Sequence, residues 1–273
     1  MKEQVETTGR DAVLVEDAHI RPMMGFEVLE PVPTRSVPYE RLDPFILVHE
    51  SRIRLSELKD VDTKHPHRGF DNLWYILEGS ASTGHSTGPG GAIERARLPK
   101  GALLALRTGR GTWHAEAIGA EERGEGLGDT EWRSVLFWVN LARKDKQVEP
   151  SARVLLPEQM TVRLESDATV RVLVGEGSPV RLGTPALVLN IELPKGGEVT
   201  TPSRRGFRAS PTCWKARPRS GPTGDGRSRP SWSSSAAVRR SPSPVPLPAH
   251  GTCSWRGSRT GRLRCSTARM WIR

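Results

Sequence analysis

His65-Pro66-His67-Arg68-Gly69-Phe70-Asp71-Asn72-Leu73-Trp74-Tyr75-Ile76-Leu77-Glu78-Gly79 is the stretch from which the fold can be read. Its second half, Leu73 to Leu77, is an unbroken apolar run closed by Glu78-Gly79, the pattern of a buried strand ending in a turn. Its first half sets two imidazoles at i and i+2, and in an extended chain such side chains share one face.

The same apolar pattern recurs on both sides. Phe45-Ile46-Leu47-Val48 follows Pro44, and Ala102-Leu103-Leu104-Ala105-Leu106 runs into Gly109-Arg110-Gly111. Further runs are Val135-Leu136-Phe137-Trp138-Val139, Val170-Arg171-Val172-Leu173-Val174, and Ala186-Leu187-Val188-Leu189 with Ile191. Short strands parted by Gly and Pro turns, with few helical repeats, predict an all-β sandwich or barrel. One short helical window falls at Pro157-Glu158-Gln159-Met160, and the strand pattern after residue 170 opens a second, similar unit. Residues 1–21 read as a loose polar leader, and the Gly- and acid-rich stretch 119–129 as a surface loop.

Composition changes abruptly near residue 204. Of the 41 Lys and Arg, 16 lie in 204–273, against a single acid there, Asp225, out of 31 in the chain. Residues 1–203 are therefore net −5 and the rest net +15, so the high overall pI says nothing about what the body binds. All three cysteines (Cys213, Cys253, Cys265) and four of the eight tryptophans also lie beyond the boundary. Phe207, Val238, Val245, Leu247, Leu263 and Ile272 are the only Phe, Val, Leu or Ile residues there. That is too little apolar material to offset an ordering cost of roughly 1–2 kcal/mol per residue, so a disordered tail is expected. A GC-rich gene read in the wrong frame from about residue 203 fits this text better than a genuine basic extension. Such an extension would contact nucleic acid through Arg charge and Trp stacking.

Three scattered cysteines without a CxxC define no disulfide framework, and their absence from the body fits a cytoplasmic protein. No apolar run approaches membrane-spanning length, and the charged Met1-Lys2-Glu3-Gln4-Val5-Glu6 lacks a signal-peptide core. No membrane partner is expected.

The chemistry points to a metal. His114-Ala115-Glu116 repeats the i, i+2 geometry of His65-Pro66-His67 with one imidazole and one carboxylate, and both pairs adjoin Gly turns. If the two strands lie side by side, three nitrogens and one anionic oxygen converge. That donor set suits Fe, Mn, Co, Ni or Zn, and the missing cysteine argues against structural zinc. The competing reading is of surface histidines beside a turn at Pro66.

The wider context decides between them. His65 to Phe70 followed by Trp74-Tyr75-Ile76-Leu77-Glu78-Gly79, and Thr108-Gly109-Arg110-Gly111 leading to His114-Ala115-Glu116, resemble the signature of the pirin family. Leu42-Asp43-Pro44-Phe45, Phe137-Trp138-Val139-Asn140-Leu141, Lys144 through Pro150 and Val174-Gly175-Glu176-Gly177 match in the same order, so the resemblance spans about residues 22–202. It implies a bicupin, two tandem cupin-type β-barrels with the metal in the first. On that basis residues 22–145 form a complete N-terminal barrel, 150–202 begin a second, incomplete one, and 203–273 form the disordered, out-of-frame tail.

The resemblance also implies that His65, His67, His114 and Glu116 hold the metal, Fe(II) first, with Mn, Co, Ni, Cu or Zn as alternatives. Glu116 is then a ligand or a catalytic proton acceptor. The implied activity is a quercetin 2,3-dioxygenase-like oxidation of a small aromatic, flavonol-like substrate. The alternatives are an iron-sensing regulator that binds a protein partner, and an inactive product with a truncated second barrel. Arg68 and Arg110 are candidates to orient a ligand, against the plainer reading of structural ion pairs. Phe70 and Trp74 read as core, and Asp71 stands where many pirins carry Glu. His85 reads as a surface residue of the Ser/Gly/Thr-rich turn 80–91, and His19, His49 and His250 have no motif around them. Nucleic acid is expected as a partner only through the basic tail. Lys100-Gly101-Ala102 and Ala105 depart from the family pattern near the pocket floor.

Overall fold

A computed structural model describes residues 15–23, 26–57, 63–118, 131–165, 167–194 and 198–200, with five short strands between 212 and 271. Strands dominate. In chain order they are β1 (Val15–Asp17), β2 (His19–Met23), β3 (Phe26–Val32), β4 (Phe45–Arg54), β5 (His65–His67), β6 (Phe70–Glu78), β7 (Ala81–His85) and β8 (Glu94–Leu98). There follow β9 (Leu103–Arg107), β10 (Thr112–Ile118), β11 (Glu131–Asn140), β12 (Ser151–Leu155), β13 (Thr161–Glu165), β14 (Ala168–Val174), β15 (Val188–Leu193) and β16 (Glu198–Thr200). Every apolar run singled out in the sequence lies wholly or mostly in one of these. The helical window is a single 3-10 turn, Pro157–Gln159, and one α-helical turn not foreseen, α1, spans Tyr39–Leu42.

The chain divides into two compact units. One comprises residues 19–161 and 173–187. Within it a seven-stranded sheet runs β12-β9-β6-β11-β4-β3-β2, and a four-stranded sheet runs β5-β10-β7-β8. The pairings are antiparallel throughout, as short connections and alternating faces require. Ile53, Trp74, Ile76, Leu104, Leu106 and Trp132 of the large sheet share one buried cluster with Ala81, Leu98 and Ile118 of the small sheet. The two sheets therefore face each other across a common core, an all-β sandwich of the expected class. Burying such a side chain contributes about 1.5–3 kcal/mol.

Three boundaries differ from the sequence reading. Strand β1 and the first three residues of β2 fall within the stretch read as a loose leader, and β2 pairs with β3 from His19↔Glu30 to Met23↔Phe26. Strand β12, read as the start of a second domain, instead completes the first sheet by pairing with β9. Its Ala152 and Val154 pack against the core cluster, which a free β9 edge would leave open. Residues 173–187 also belong to this unit: the Gly183 N–H donates to Asp71 Oδ2 at 2.9 Å, and Thr184 Oγ1 donates to the Asn140 carbonyl at 2.6 Å.

Among the described residues the second unit comprises 15–18, 162–165, 167–172, 188–194 and 198–200, with the short tail strands. Its main sheet includes β13, β14, β15 and β1, together with β17 (Thr212–Trp214), β18 (Ser234–Ala237) and β21 (Ala268–Trp271). Two further strands, β19 (Ser254–Trp255) and β20 (Arg262–Arg264), pair with each other, and β20 pairs with β16. These short tail strands were not foreseen in a segment read as disordered. The remainder of that segment and the 119–129 loop lie outside the described residues.

Candidate metal centre

Register brings the histidines together. Strand β10 pairs with β5 so that His114 is the direct partner of His65 and Thr112 of His67. Ile118, two pleats beyond His114, lies in the core cluster, so His114 and Glu116 also point inward. His67 is two residues from His65 on β5 and shares its face.

The potential ligand atoms of His65, His67 and His114 all lie within 4.8 Å of one another. The three ring centroids are 4.4, 4.5 and 4.6 Å apart, and Nε2 of His114 is 3.1 Å from Nε2 of His65. Two nitrogens bound at ~2.1 Å to one ion stand about 3 Å apart, so this spacing suits one shared cation. The surface-histidine reading fails, since His67 and His114 are buried and His65 half-buried.

The surrounding bonds prepare the donors. His65 Nδ1 donates to the Thr63 carbonyl, which leaves Nε2 as the lone pair. Thr63 is itself pinned to β10: its Oγ1 accepts from the Glu116 N–H at 2.9 Å and donates to the Glu116 carbonyl at 2.6 Å. The turn after His67 and the turn before His114 clasp each other, with the Gly69 N–H donating to the Gly109 carbonyl at 2.9 Å. Lys146 Nζ donates to the Gly69 carbonyl at 2.8 Å and to Asn140 Oδ1 at 2.7 Å.

Burial sets the protonation states. It lowers His67 to about 4, helped by the charge of His65. It lowers His114 to about 3, helped by His67, His65 and His85. Both rings are therefore neutral at physiological pH, the form a metal needs. Burial also pushes the Glu116 carboxyl up to about 7.

Glu116 stands apart from the three imidazoles. Its Oε1 lies 4.0 Å from His114 Nδ1, the ring nitrogen on the other side from Nε2. That Nδ1 is buried without a hydrogen-bond partner in the protein. An orphaned nitrogen beside a carboxyl, and three imidazoles around one point, fit a bound metal whose charge would draw a proton acceptor to His114.

Other expected residues sort as follows. Phe70 lines the centre, with its ring 5.2 Å from that of His67, whereas Trp74 is core and donates from Nε1 to Ser134 Oγ at 2.9 Å. Arg68 is exposed, and Arg110 makes a surface ion pair with Glu149 at 2.8 Å. Asp71 is buried and accepts from Arg107 Nε at 3.0 Å, so it is structural. His85 corrects its reading: it is buried on β7 as the strand partner of His114, with Nδ1 2.7 Å from Thr87 Oγ1. A Ser/Thr/Gly-rich strand looks like a turn, which hid it. His49 is buried, 2.5 Å from Glu30, while His19 is exposed and His250 lies outside the described residues.

Trp138, read only as part of an apolar run, packs its ring 5.2 Å from that of His67 and stacks on Phe70 at 4.4 Å. Its position two residues beyond Leu136 on β11 was the available signal. A groove of about 480 Å³ on the small sheet is lined by Lys64, Arg95, Arg97 and Trp113, with His114 and Glu116.

The Pirin family model matches residues 8–139. Rat (Rattus norvegicus) pirin is 34% identical over 171 residues, 61% of this chain and 53% of that protein. Human (Homo sapiens) pirin is 34% identical over 62% of this chain and 54% of its own length. The chain thus spans about half the length of the curated relatives it matches. A quercetin 2,3-dioxygenase from Acinetobacter baumannii superposes with a TM-score of 0.69 over 97% of this chain and 86% of its own, at 17% identity. The bacterial pirin YhhW from Escherichia coli, solved in complex with nickel(II), gives 0.58 over 95% and 96%, at 10% identity. At these identities the likeness is one of fold, the cupin fold. No helix among the described residues is long and apolar enough to cross a membrane.

Proposed function

We propose that this chain, whose residues 8–139 match the Pirin family model, is a metal-dependent dioxygenase of quercetin 2,3-dioxygenase type, acting on a flavonol-like aromatic. The observation that carries this reading is the buried three-histidine cluster, with all ligand atoms within 4.8 Å and His65 held in the ligating tautomer by Thr63. The fold likeness to a quercetin 2,3-dioxygenase and to a nickel-bound pirin supports it.

His65, His67 and His114 would hold the ion through ring nitrogens, with Fe(II) the first choice and Mn, Co, Ni, Cu or Zn as alternatives. Bound there, the metal would act as a Lewis acid toward a substrate hydroxyl and a centre for dioxygen chemistry. The protein's own residues supply the rest. Glu116 is either a fourth ligand, after a side-chain rotation, or the group that takes the hydroxyl proton. Its raised affinity for protons suits the second role near neutral pH. Phe70 and Trp138 form an aromatic wall beside His67 that orients a planar substrate and keeps water away.

A second reading, an iron-sensing regulator that binds a protein partner, has one observation in its favour: the curated relatives over half whose length the chain aligns carry the name pirin. One experiment separates the two. Oxygen uptake with quercetin, abolished by chelation and by His67→Ala, is the expected result. Full metal occupancy with no oxygen uptake, beside a partner affinity that changes with the ion's oxidation state, would replace the enzyme with the regulator.

A further inference from the structure

The groove on the small sheet opens on its outer face, away from the histidines, and we propose that it is a docking site for an extended acidic segment of a partner protein. The inference goes beyond the dioxygenase reading and needs neither the metal nor its substrate.

Strand register draws the map of this face. Side chains on β10 alternate, so that while His114 and Glu116 turn inward, Trp113, Ala115 and Ala117 turn outward. Strand β7 sets Gly84 beside Ala115 and Ser82 beside Ala117. Strand β8, the last of this sheet, sets Arg95 beside Gly84 and Arg97 beside Ser82. On the opposite side Lys64 lies next to Ala115, because the register that pairs His65 with His114 continues through the bonds between Thr63 and Glu116. Four small residues thus floor a groove of about 480 Å³, with Lys64 along one side and two arginines along the other. These sides stand three strand spacings apart, about 14 Å. Trp113 and Ile93 close one end, each about half exposed.

Charge selects the occupant. Three cations line the groove although residues 1–203 are net −5, and the one acid in its lining, Glu116, turns its carboxyl to the inner face. A negatively charged partner is therefore drawn to this face rather than to the rest of the body. Lys64 Nζ lies over the Trp113 ring, 5.5 Å from its centroid. That contact holds the ammonium at the side of the groove and covers a ring face that a nucleic-acid base would need for stacking. The arrangement favours carboxylates on a polypeptide over phosphates on a nucleic acid.

Gly84 is a separate observation pointing the same way. Glycine weakens a strand interior, and a Cβ at this position would meet Ile93 Cγ2 at 3.6 Å and Arg95 Cγ at 3.8 Å, ordinary contact. The fold has room for a side chain there, so what the glycine keeps open is the groove floor, where a second backbone can approach. The rows above that floor also set a sequence pattern. Trp113 and Ile93, then Lys64 and Arg95, then Arg97 follow one another at two-residue steps, about 6.8 Å each. Alternate side chains of an extended peptide repeat at the same distance. An apolar residue followed by acids two and four positions later sets each of them on its counterpart.

The test is fluorescence anisotropy of a labelled peptide, with leucine, glutamate and glutamate at alternate positions, titrated with the full chain. An isomer with the two glutamates adjacent carries the same charge and so measures whatever the basic tail attracts. The alternating peptide should bind about tenfold more tightly than its isomer, and added salt should weaken it. Gly84→Val fills the floor without changing charge, and Arg95→Ser removes part of one side. Each should abolish the preference at an unchanged melting profile. Equal affinity for the two peptides in the wild type overturns the proposal, as does a preference that survives both variants. If single-stranded oligothymidylate displaces the peptide and its own binding is lost in the same variants, the groove belongs to nucleic acid and the peptide reading falls. Should Gly84→Val unfold, Arg95→Ser, made at an exposed side chain, decides alone.

Discussion

His114 Nε2 faces His65 Nε2 at 3.1 Å, while His65 Nδ1 donates to the Thr63 carbonyl and so turns Nε2 toward His114. Where the His65 ring is neutral its Nε2 accepts and His114 donates, a proton that His114 gives up or moves to Nδ1 when an ion binds. Strand register makes this contact, and Thr63 fixes its polarity. His65→Ala or His114→Ala should abolish stoichiometric metal binding. Thr63→Val keeps the β-branched shape but loses both Oγ1 bonds to Glu116, and should weaken binding about tenfold or more. Competition against a chelator of known affinity measures both, and a Thr63→Val protein with unaltered affinity would show that the carbonyl is held by other means.

The pH dependence of metal uptake tells whether Glu116 is a ligand. At pH 6 the two buried imidazoles, at about 4 and about 3, are already neutral, while the Glu116 carboxyl, at about 7, is still protonated. A coordinating Glu116 must then release one proton per ion. Affinity should rise about tenfold per pH unit up to the Glu116 value and level off above it. Calorimetry in buffers of different ionisation enthalpy counts the proton directly. A flat profile from pH 5.5 to 7.5 would leave Glu116 outside the ligand set.

The same group sets a stability trend in the metal-free protein. Its pKa is raised on folding, so its contribution is complete below the unfolded value of 4.5 and is lost as pH rises through about 7. Glu116→Gln should therefore stabilise the metal-free fold at pH 8, by roughly 1–3 kcal/mol in urea unfolding, and have little effect at pH 5. Equal effects at both pH values would contradict burial as the cause.

Gly109 admits no side chain. It has a φ of +45°, and a Cβ there would lie 2.1 Å from the Val148 carbonyl oxygen, a backbone atom that cannot rotate away. Its own carbonyl accepts from Gly69, so the turn that aims His114 is tied to the turn that follows His67. Gly109→Ala should destabilise the protein by about 3 kcal/mol or more and lower its metal content. Differential scanning calorimetry with metal analysis checks both, and a normal melting profile would refute the clash.

Much of this was legible in the sequence because two signals were strong. Apolar runs such as Leu73 to Leu77 announce strands buried on both faces. The paired i, i+2 motifs announce side chains on one face, and antiparallel register then needs only to set His65 against His114. Strands β7 and β8 were not legible, since Ala81–His85 is Ser, Thr and Gly, and Glu94–Leu98 turns charged residues outward. Neither shows an apolar run, although both complete the small sheet. Residues that act across the sheet were hidden for a different reason: Trp138 and Lys146 look like ordinary strand and loop residues until the fold sets them against His67 and the Gly69 turn. The domain boundary failed because edge pairing, which assigns β12 to the first sheet, leaves no mark in local composition.

The basic tail supplies the last prediction. The three histidines and Glu116 lie in the unit made of residues 19–161 and 173–187, so a chain ending at residue 203 should bind metal with unchanged stoichiometry. It should not behave as well in solution. Residues Ile191, Glu192 and Leu193 of β15 pair with Met270, Arg269 and Ala268, and removing β21 uncovers that apolar edge. An uncovered edge of this kind recruits other chains, so size-exclusion chromatography should show more aggregate in the truncated protein than in the full chain. The +15 charge beyond residue 203 leads to the opposite comparison for nucleic acid: salt-sensitive binding of duplex DNA should be present in the full chain and absent from the truncated one. If truncation left aggregation unchanged, the β21 pairing would have no role in holding β15. If it left DNA binding unchanged, the tail's charge would not be what the DNA contacts.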